Sequence, residues 1–486
     1  MLERLNIIIR KSVNMANVKK NFIYNSAYQL LAILTPLLTT PYLSRVIGAR
    51  GIGRYSFSYS VAEYFGLFIL LGLVNYGNRT IAMVRNDKEK LSRTFCSIYA
   101  MQLICSLIVC IGYIFYLLFI STDSMLAWLQ LMYLISVAID INWFFFGMEK
   151  FKLTVTRNTI IKLLSLILTF VLVKSKGDVW IYTALMAGSM LLSCILLWPF
   201  VPKWIDFVKV TPSEIMEHLR PNLILFLPVI AISLYNKMDK IMLGIMSTKV
   251  EVGFYESSIK LIHVPTSLVT ALGTVMLPHV SNLVSSGNHE KSKKYYHLSS
   301  YFSIFISSAI CFGIMGVSKE FVPIFYGPGF EKCIYLLAIL LPSTIFISFA
   351  NVIRTQYLIP YKEDSIYVGS VFMGAGINLV INLSLIPRFS SIGAAIGTLV
   401  AEIVVCLYQA VRVRKKLDVI STAKKSLIFV IIGIVMYLII SPIEMMSSNI
   451  LNIVVKIIIG ATFYLALSAL YYKKFLLKNN KEREII

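Results

Sequence analysis

Apolar residues run in long stretches along almost the whole chain, and short segments rich in Lys and Arg separate them. Fourteen such stretches stand out, at 21–45, 55–77, 94–120, 125–146, 153–173, 179–201, 222–246, 253–284, 297–318, 331–358, 364–386, 391–411, 422–441 and 448–472. Each is about 20 residues or longer, enough for a helix to cross roughly 30 Å of hydrocarbon. In lipid a spanning segment must satisfy its own backbone, so the pattern predicts an all-α integral membrane protein of about 14 transmembrane helices.

The pattern repeats. Pro41 to Tyr59 reads P-Y-L-S-R-V-I-G-A-R-G-I-G-R-Y-S-F-S-Y, and Gly48, Gly51 and Gly53 predict a tight turn between two spans. Asp239 to Ser258 repeats its closing part, with Gly253-x-Tyr255 and Ser258 matching Gly53-x-Tyr55 and Ser58. N-D-K-E-K at Asn86–Lys90 has its counterpart in G-N-H-E-K at Gly287–Lys291. These echoes predict two homologous six-helix lobes, residues 1–201 and 222–416, joined by a cytoplasmic connector at 202–221. Two extra helices and a basic tail follow at 417–486. Six helices is an even number, so the lobes share one orientation, as a parallel pseudo-twofold repeat does. Within the connector, Thr211-Pro212-Ser213-Glu214 carries a capping box with proline in the first turn, which predicts a short interfacial helix.

Composition agrees with the lipid reading. Of 486 residues, 57% are hydrophobic and only 14% charged, with a mean hydropathy of +0.77. The net charge of +22 would point a soluble protein toward nucleic acid, but here no basic soluble domain exists to carry that function. The charge sorts instead by side of the membrane. With the N-terminus placed in the cytoplasm, inner segments hold 31 Lys and Arg and outer segments hold 9. That asymmetry predicts both termini inside. The first apolar run is too long for a signal peptide and no A-x-A site follows it, which predicts an uncleaved first helix. Seven cysteines without a C-x-x-C predict neither disulfides nor zinc.

No enzyme motif is present. Gly48 to Tyr55 comes nearest to a phosphate-binding loop but has Arg-Tyr where Lys-Ser/Thr is needed. No cofactor or metal is expected, and the chemistry rests on charged and polar groups inside spans. The first run carries a polar stripe of Asn21, Asn25 and Gln29. Ionisable residues within spans cost about 2.5–3.5 kcal/mol each at mid-helix and therefore mark function or pairing. They are Glu63, Asp140, Lys162, Lys237, Asp239, Lys240, Lys260, Arg354, Glu402 and Lys456, with Arg45 and Arg79 at span ends. Lys162, Lys260 and Arg354 read as lining a water-filled cavity. Lys237, Asp239 and Lys240 read either as cavity groups or as a cluster paired at the interface, and Lys456 reads as snorkelling or packing. Glu63 and His263 fall at equivalent positions of the repeat. With Asp239 they are the candidates for proton coupling. A cavity rich in Lys and Arg suits phosphate or pyrophosphate, while the first span offers no carboxylate for an organic cation.

Five motifs together resemble the Wzx-type polysaccharide-biosynthesis flippases. They are T-T-P-Y-L-S-R-V-I-G-A-R-G-I-G-R-Y-S, G-L-V-N-Y-G-N-R (Gly72–Arg79), D-I-N-W-F-F-F-G-M-E-K-F (Asp140–Phe151), Y-N-K-M-D-K-I-M-L-G (Tyr235–Gly244) and G-A-A-I-G-T-L-V-A-E (Gly393–Glu402). The resemblance runs through the first twelve helices. It implies the multidrug/oligosaccharidyl-lipid/polysaccharide exporter fold, with a basic central cavity alternately open to each side of the bilayer. The implied substrate is an undecaprenyl-diphosphate-linked oligosaccharide, moved to the outer leaflet of a bacterial inner membrane. A polysaccharide polymerase and a chain-length regulator are the implied protein partners. Arg45, Arg79 and Lys240 are the motif positions that it marks as cavity candidates. A flippase for peptidoglycan lipid or a teichoic-acid precursor, a drug/cation antiporter of the same fold, and a membrane scaffold or glycosyltransferase stay open as alternatives.

Overall fold

The computed structural model describes residues 35–444 and 448–476. Among them, thirteen helices are long and apolar enough to cross a membrane. They are α1 (Gly48–Val84), α2 (Lys88–Phe119), α3 (Ser124–Gly147), α4 (Phe151–Leu172), α5 (Lys176–Lys203), α6 (Pro212–Met246), α7 (Lys249–Ser285), α8 (His289–Tyr326), α9 (Lys332–Leu358), α10 (Asp364–Phe389), α11 (Ser391–Val413), α12 (Val419–Ile440) and α13 (Asn449–Lys474). They correspond one for one to the second to fourteenth apolar runs. The first run lies mostly outside the described residues, and residues 35–46 of it are helical. The chain divides into two compact units, Met1–Ser233 and Leu234–Ile486.

Surface and interior are arranged for lipid. On α2 the exposed side chains are Leu103, Ile104, Leu107, Ile108, Ile111, Phe115 and Leu118, whereas Ser92, Ser97, Gln102 and Ser106 are buried. Lipid tails are as apolar as leucine, so burying apolar area gives no drive for helix association. Small and polar residues make the contacts instead. In α8 the buried serines 292, 299, 300, 303, 307 and 308 do this.

Two spans of the first unit are broken within their length, and the breaks explain two motifs. In α1 the helix stops at Leu70 and resumes at Leu73. A Cβ on Gly72 would lie 2.7 Å from the Asn222 carbonyl oxygen of α6, and one on Gly77 would lie 2.7 Å from the Trp143 ring. The glycines of G-L-V-N-Y-G-N-R are there for close approach. In α3 the helix stops at Ala138 and resumes at Asn142, which frees carbonyls inside the bilayer. The Gln102 side-chain amide fills this gap: Nε2 lies 3.0 Å from Val137 O, 3.2 Å from Ala138 O and 3.0 Å from Asp140 O. Trp198 Nε1 donates to Ile139 O at 3.0 Å, and Trp143 Nε1 donates back to Gln102 Oε1 at 3.1 Å. Asp140 accepts from the backbone and side-chain amides of Asn142, and Arg157 donates to Asn142, Asn158 and the Ser193 carbonyl. Gln102 and Trp198 plug the broken helix, and the D-I-N-W motif supplies Asp140 to cap its restart and Trp143 to hold Gln102.

Other turns obey local rules. Of Gly48, Gly51 and Gly53, only Gly48 has a positive φ, +67°, and makes the turn before α1; Gly51 and Gly53 lie within the helix. The Gly51 Cα faces Val179 of α5, where a Cβ would sit 2.9 Å from that side chain. Arg54 clamps Asp123, at the start of α3, through two hydrogen bonds of 2.5 and 2.9 Å. Asp87 caps α2 and Asn288 caps α8, each accepting from the amide three residues on. The repeat N-D-K-E-K/G-N-H-E-K is thus a pair of matched caps. The Lys90 amide holds the Asp87 carboxyl below its usual range. The Thr211–Glu214 box forms as expected, with Glu214 Oε2 2.7 Å from the Thr211 amide. The helix it starts is not short, however. It runs on to Met246 through Pro221 and Pro228, as one helix of 35 residues.

In the second unit, α10 and α11 lie closest. A Cβ on Gly393 would meet the Leu385 carbonyl oxygen at 2.6 Å. Lys456 of α13 does not snorkel: its side chain is fully buried, 2.5 Å from Glu320 of α8 and 3.3–3.4 Å from the carbonyls of Ser441 and Gly316. A buried ammonium with an acid five helices back in the chain needs no route to the interface. The seven cysteines are all free.

Candidate functional site

Three of the charged residues marked in the sequence share one helix end. Lys237, Asp239 and Lys240 lie in the last turns of α6, beside α7. Helical spacing turns Asp239 and Lys240 to different neighbours. The Asp239 carboxylate is buried and held by neutral donors from three helices. Tyr255 OH of α7 lies 2.5 Å from Oδ2, Thr398 Oγ1 of α11 lies 2.8 Å from it, and Asn382 Nδ2 of α10 lies 2.6 Å from Oδ1. Asn382 also donates to Asn378 at 3.0 Å. Asp239 is a clip that ties four helices together, and three charge-assisted hydrogen bonds suit it to that role.

Lys240 turns instead to Glu256 of α7, with Nζ 3.2 Å from Oε2. Lys260, one turn further along α7, reaches the other oxygen of the same carboxylate at 3.5 Å. Two half-buried ammonium groups therefore share one acid, and this cluster keeps an excess positive charge. His263 lies three residues beyond Lys260 on the same helix. The sequence reading does not single out Glu256, although its i,i+4 spacing to Lys260 marks an ion pair.

Arg354 stands at the start of a π-turn, Arg354–Leu358, that ends α9. Single π-turns within helices often accompany functional sites. Its guanidinium donates to Asn351 Oδ1 at 2.6 Å and to Tyr367 OH at 3.3 Å, and its centre lies 5.3 Å from the Tyr367 ring. Those partners are neutral, so the guanidinium keeps its full charge and has donors to spare.

In the first unit the marked residues are held separately. Arg45 is exposed and donates to Pro41 O at 2.7 Å, Arg79 is exposed on the second half of α1, and Lys162 is half-buried on α4. Glu63 sits beside an aromatic cluster. Tyr59 OH is 3.5 Å from its carboxylate, Tyr59 stacks on Tyr55, and Tyr133 and Tyr182 meet these rings edge-on. Such rings offer flat faces and hydroxyl groups, the surface on which sugars stack. Asn25 and Gln29 lie outside the described residues.

A family model described as "Polysaccharide biosynthesis protein" matches residues 18–284, more than half of the chain. A protein of Escherichia coli (strain K12) named "Putative O-antigen transporter" is 25% identical over 402 residues, which cover 81% of this chain and 96% of that protein. A protein of Shigella dysenteriae with the same name is 26% identical over 406 residues, covering 80% and 98%. Among solved structures, "Lipid II flippase MurJ, inward closed conformation" superposes with a TM-score of 0.74 over 94% of this chain and all of that one, at 15% identity. That last likeness is one of fold.

Proposed function

Because the chain belongs to the polysaccharide biosynthesis protein family, the Wzx-type branch of the exporter superfamily, we propose that it is a flippase for a polyprenyl-diphosphate-linked oligosaccharide. The unit moves from the inner to the outer leaflet by alternating access and supplies capsule, O-antigen or exopolysaccharide assembly. The chain is a multi-pass membrane protein and not an enzyme. The asymmetry of loop charge supports cytoplasmic termini.

One observation carries the substrate class. Lys240 and Lys260 share a single carboxylate, and Arg354 is held by neutral partners only. A diphosphate is the part of the substrate that such groups grip best, through charge-assisted contacts in a medium of low dielectric constant. In this reading the tyrosines around Glu63 stack on sugar rings, and the lipid tail stays in the bilayer. Arg45, Arg79, Lys162 and Lys237 remain candidates for the same binding surface. Glu63, Asp239 and His263 remain candidates for coupling, with Asp239 the weakest because its hydrogen bonds already occupy it.

The test is complementation of a flippase-deleted strain at matched expression. Wild type restores surface polysaccharide; Lys240→Ala and Lys260→Ala do not, and the lipid-linked unit accumulates on the inner leaflet. Full export by the Lys240→Ala/Lys260→Ala/Arg354→Ala triple variant would sink the diphosphate role.

A further inference from the structure

The first unit carries a groove that the transport reading does not use. It runs between the start of α4 and the end of α5, with a volume of about 700 Å³. Leu153, Ile160, Ile161 and Leu196 form its walls, and Ile160 and Leu196 are 60% and 42% exposed on the outward surface of the helices. Its rim is cationic: Lys150, Lys152 and Lys203 all line it.

These lysines are not spent on acids. Lys150 Nζ lies 4.2 Å above the Trp204 ring and Lys203 Nζ lies 5.1 Å from the Phe200 ring, and none of the three makes an ion pair among the described residues. The rim's one carboxylate, Glu149, is bound to Arg85 at 2.8 Å. The Arg157 guanidinium beneath is engaged by Asn142, Asn158 and the Ser193 carbonyl. The rim is also at one end of the helices. Ion pairs Arg85–Glu149, Lys88–Asp206 and Arg93–Glu214 join the α1–α2, α3–α4 and α5–α6 connections there. Trp204 and Phe200 sit at the same level, as aromatic residues do at the boundary of the bilayer.

We propose that this groove binds an anionic two-chain phospholipid, with the phosphate on Lys150, Lys152 and Lys203 and an acyl chain along Ile160 and Leu196. Basic pockets between spans near the headgroup level hold anionic lipids by this combination of charge and apolar wall. A zwitterionic lipid would leave its own cation among three ammonium groups. A free phosphate would make no use of the walls.

Native mass spectrometry of the full chain in detergent tests the proposal, with phosphatidylglycerol, phosphatidylcholine and inorganic phosphate as probes. Wild type should retain phosphatidylglycerol over phosphatidylcholine, and inorganic phosphate should not displace it. Each lysine removed should weaken retention by roughly fivefold, the value of one basic residue at an anionic surface. The Lys150→Ala/Lys152→Ala/Lys203→Ala variant reads out charge. Ile160→Trp, which leaves the lysines in place and fills the groove, should lose the adduct as well. Equal retention of both lipids by wild type, or unchanged retention in both variants, would overturn the proposal. So would displacement of phosphatidylglycerol by a short polyprenyl diphosphate that is abolished by Ile160→Trp, since that result assigns the groove to the other lipid.

Discussion

At the scale of single residues, the same sequence of four, Lys237 to Lys240, contains two kinds of charge. Asp239 is a structural acceptor for Tyr255, Asn382 and Thr398, whereas Lys240 faces Glu256. Asp239→Ala removes a charged acceptor from three buried donors and leaves each only its second partner, Asn378 for Asn382, the Ala394 carbonyl for Thr398 and Thr398 for Tyr255. Each such loss costs about 1–3 kcal/mol, so the variant should melt well below wild type in detergent, by roughly 3 kcal/mol or more in total. Asp239→Asn keeps part of the network and should fall between them. Scanning fluorimetry separates these outcomes, and an unchanged melting temperature for Asp239→Ala would show that the clip bears no stress. The cations of this region were legible in the sequence because charge in an apolar run is conspicuous. Their partner Glu256 was not singled out, because it stands at the very start of the apolar run 253–284, where a charge reads as interfacial.

At the scale of elements, legibility follows the cause of each structure. The positions of α1 to α13 could be read because hydropathy and bilayer thickness fix them. The breaks in α1 and α3 could not, because they depend on contacts between distant segments. Asn222 reaches Gly72 from 150 residues away, and Gln102 reaches the α3 carbonyls from 35 to 38 residues away. The expectation of a short helix after Thr211 failed for a related reason: a cap marks where a helix starts, and nothing in it says where the helix ends. Gln102 gives the sharpest test. Gln102→Leu keeps the volume and removes every donor, exposing the Val137, Ala138 and Asp140 carbonyls to an apolar interior. We expect a loss of about 3 kcal/mol in stability. Gln102→Glu, nearly identical in shape, should be no better, since an acid oxygen cannot donate to those carbonyls when ionised. Wild-type stability in Gln102→Leu would show that the site needs only shape.

At the scale of the whole molecule, the buried pair Lys456–Glu320 fastens the last span to α8. Removing one partner of a buried pair typically costs about 3–5 kcal/mol, while replacing both by apolar side chains is often neutral or stabilising. Lys456→Met alone should therefore destabilise strongly, and Lys456→Met/Glu320→Leu should recover most of the loss. A double variant no better than the single one would mean that the pair does more than balance charge, as its contacts to the Gly316 and Ser441 carbonyls would then require.

The same pair bears on how the protein is made. Glu320 is synthesised 136 residues before Lys456, and it enters the bilayer with no cation waiting for it. Until α13 emerges from the ribosome, α8 carries an acid that lipid disfavours. Lys456, translated 136 residues after Glu320, thus decides whether that earlier helix is comfortable in the membrane, and a chain stopped before α13 keeps an acid in α8 that has lost its ammonium partner.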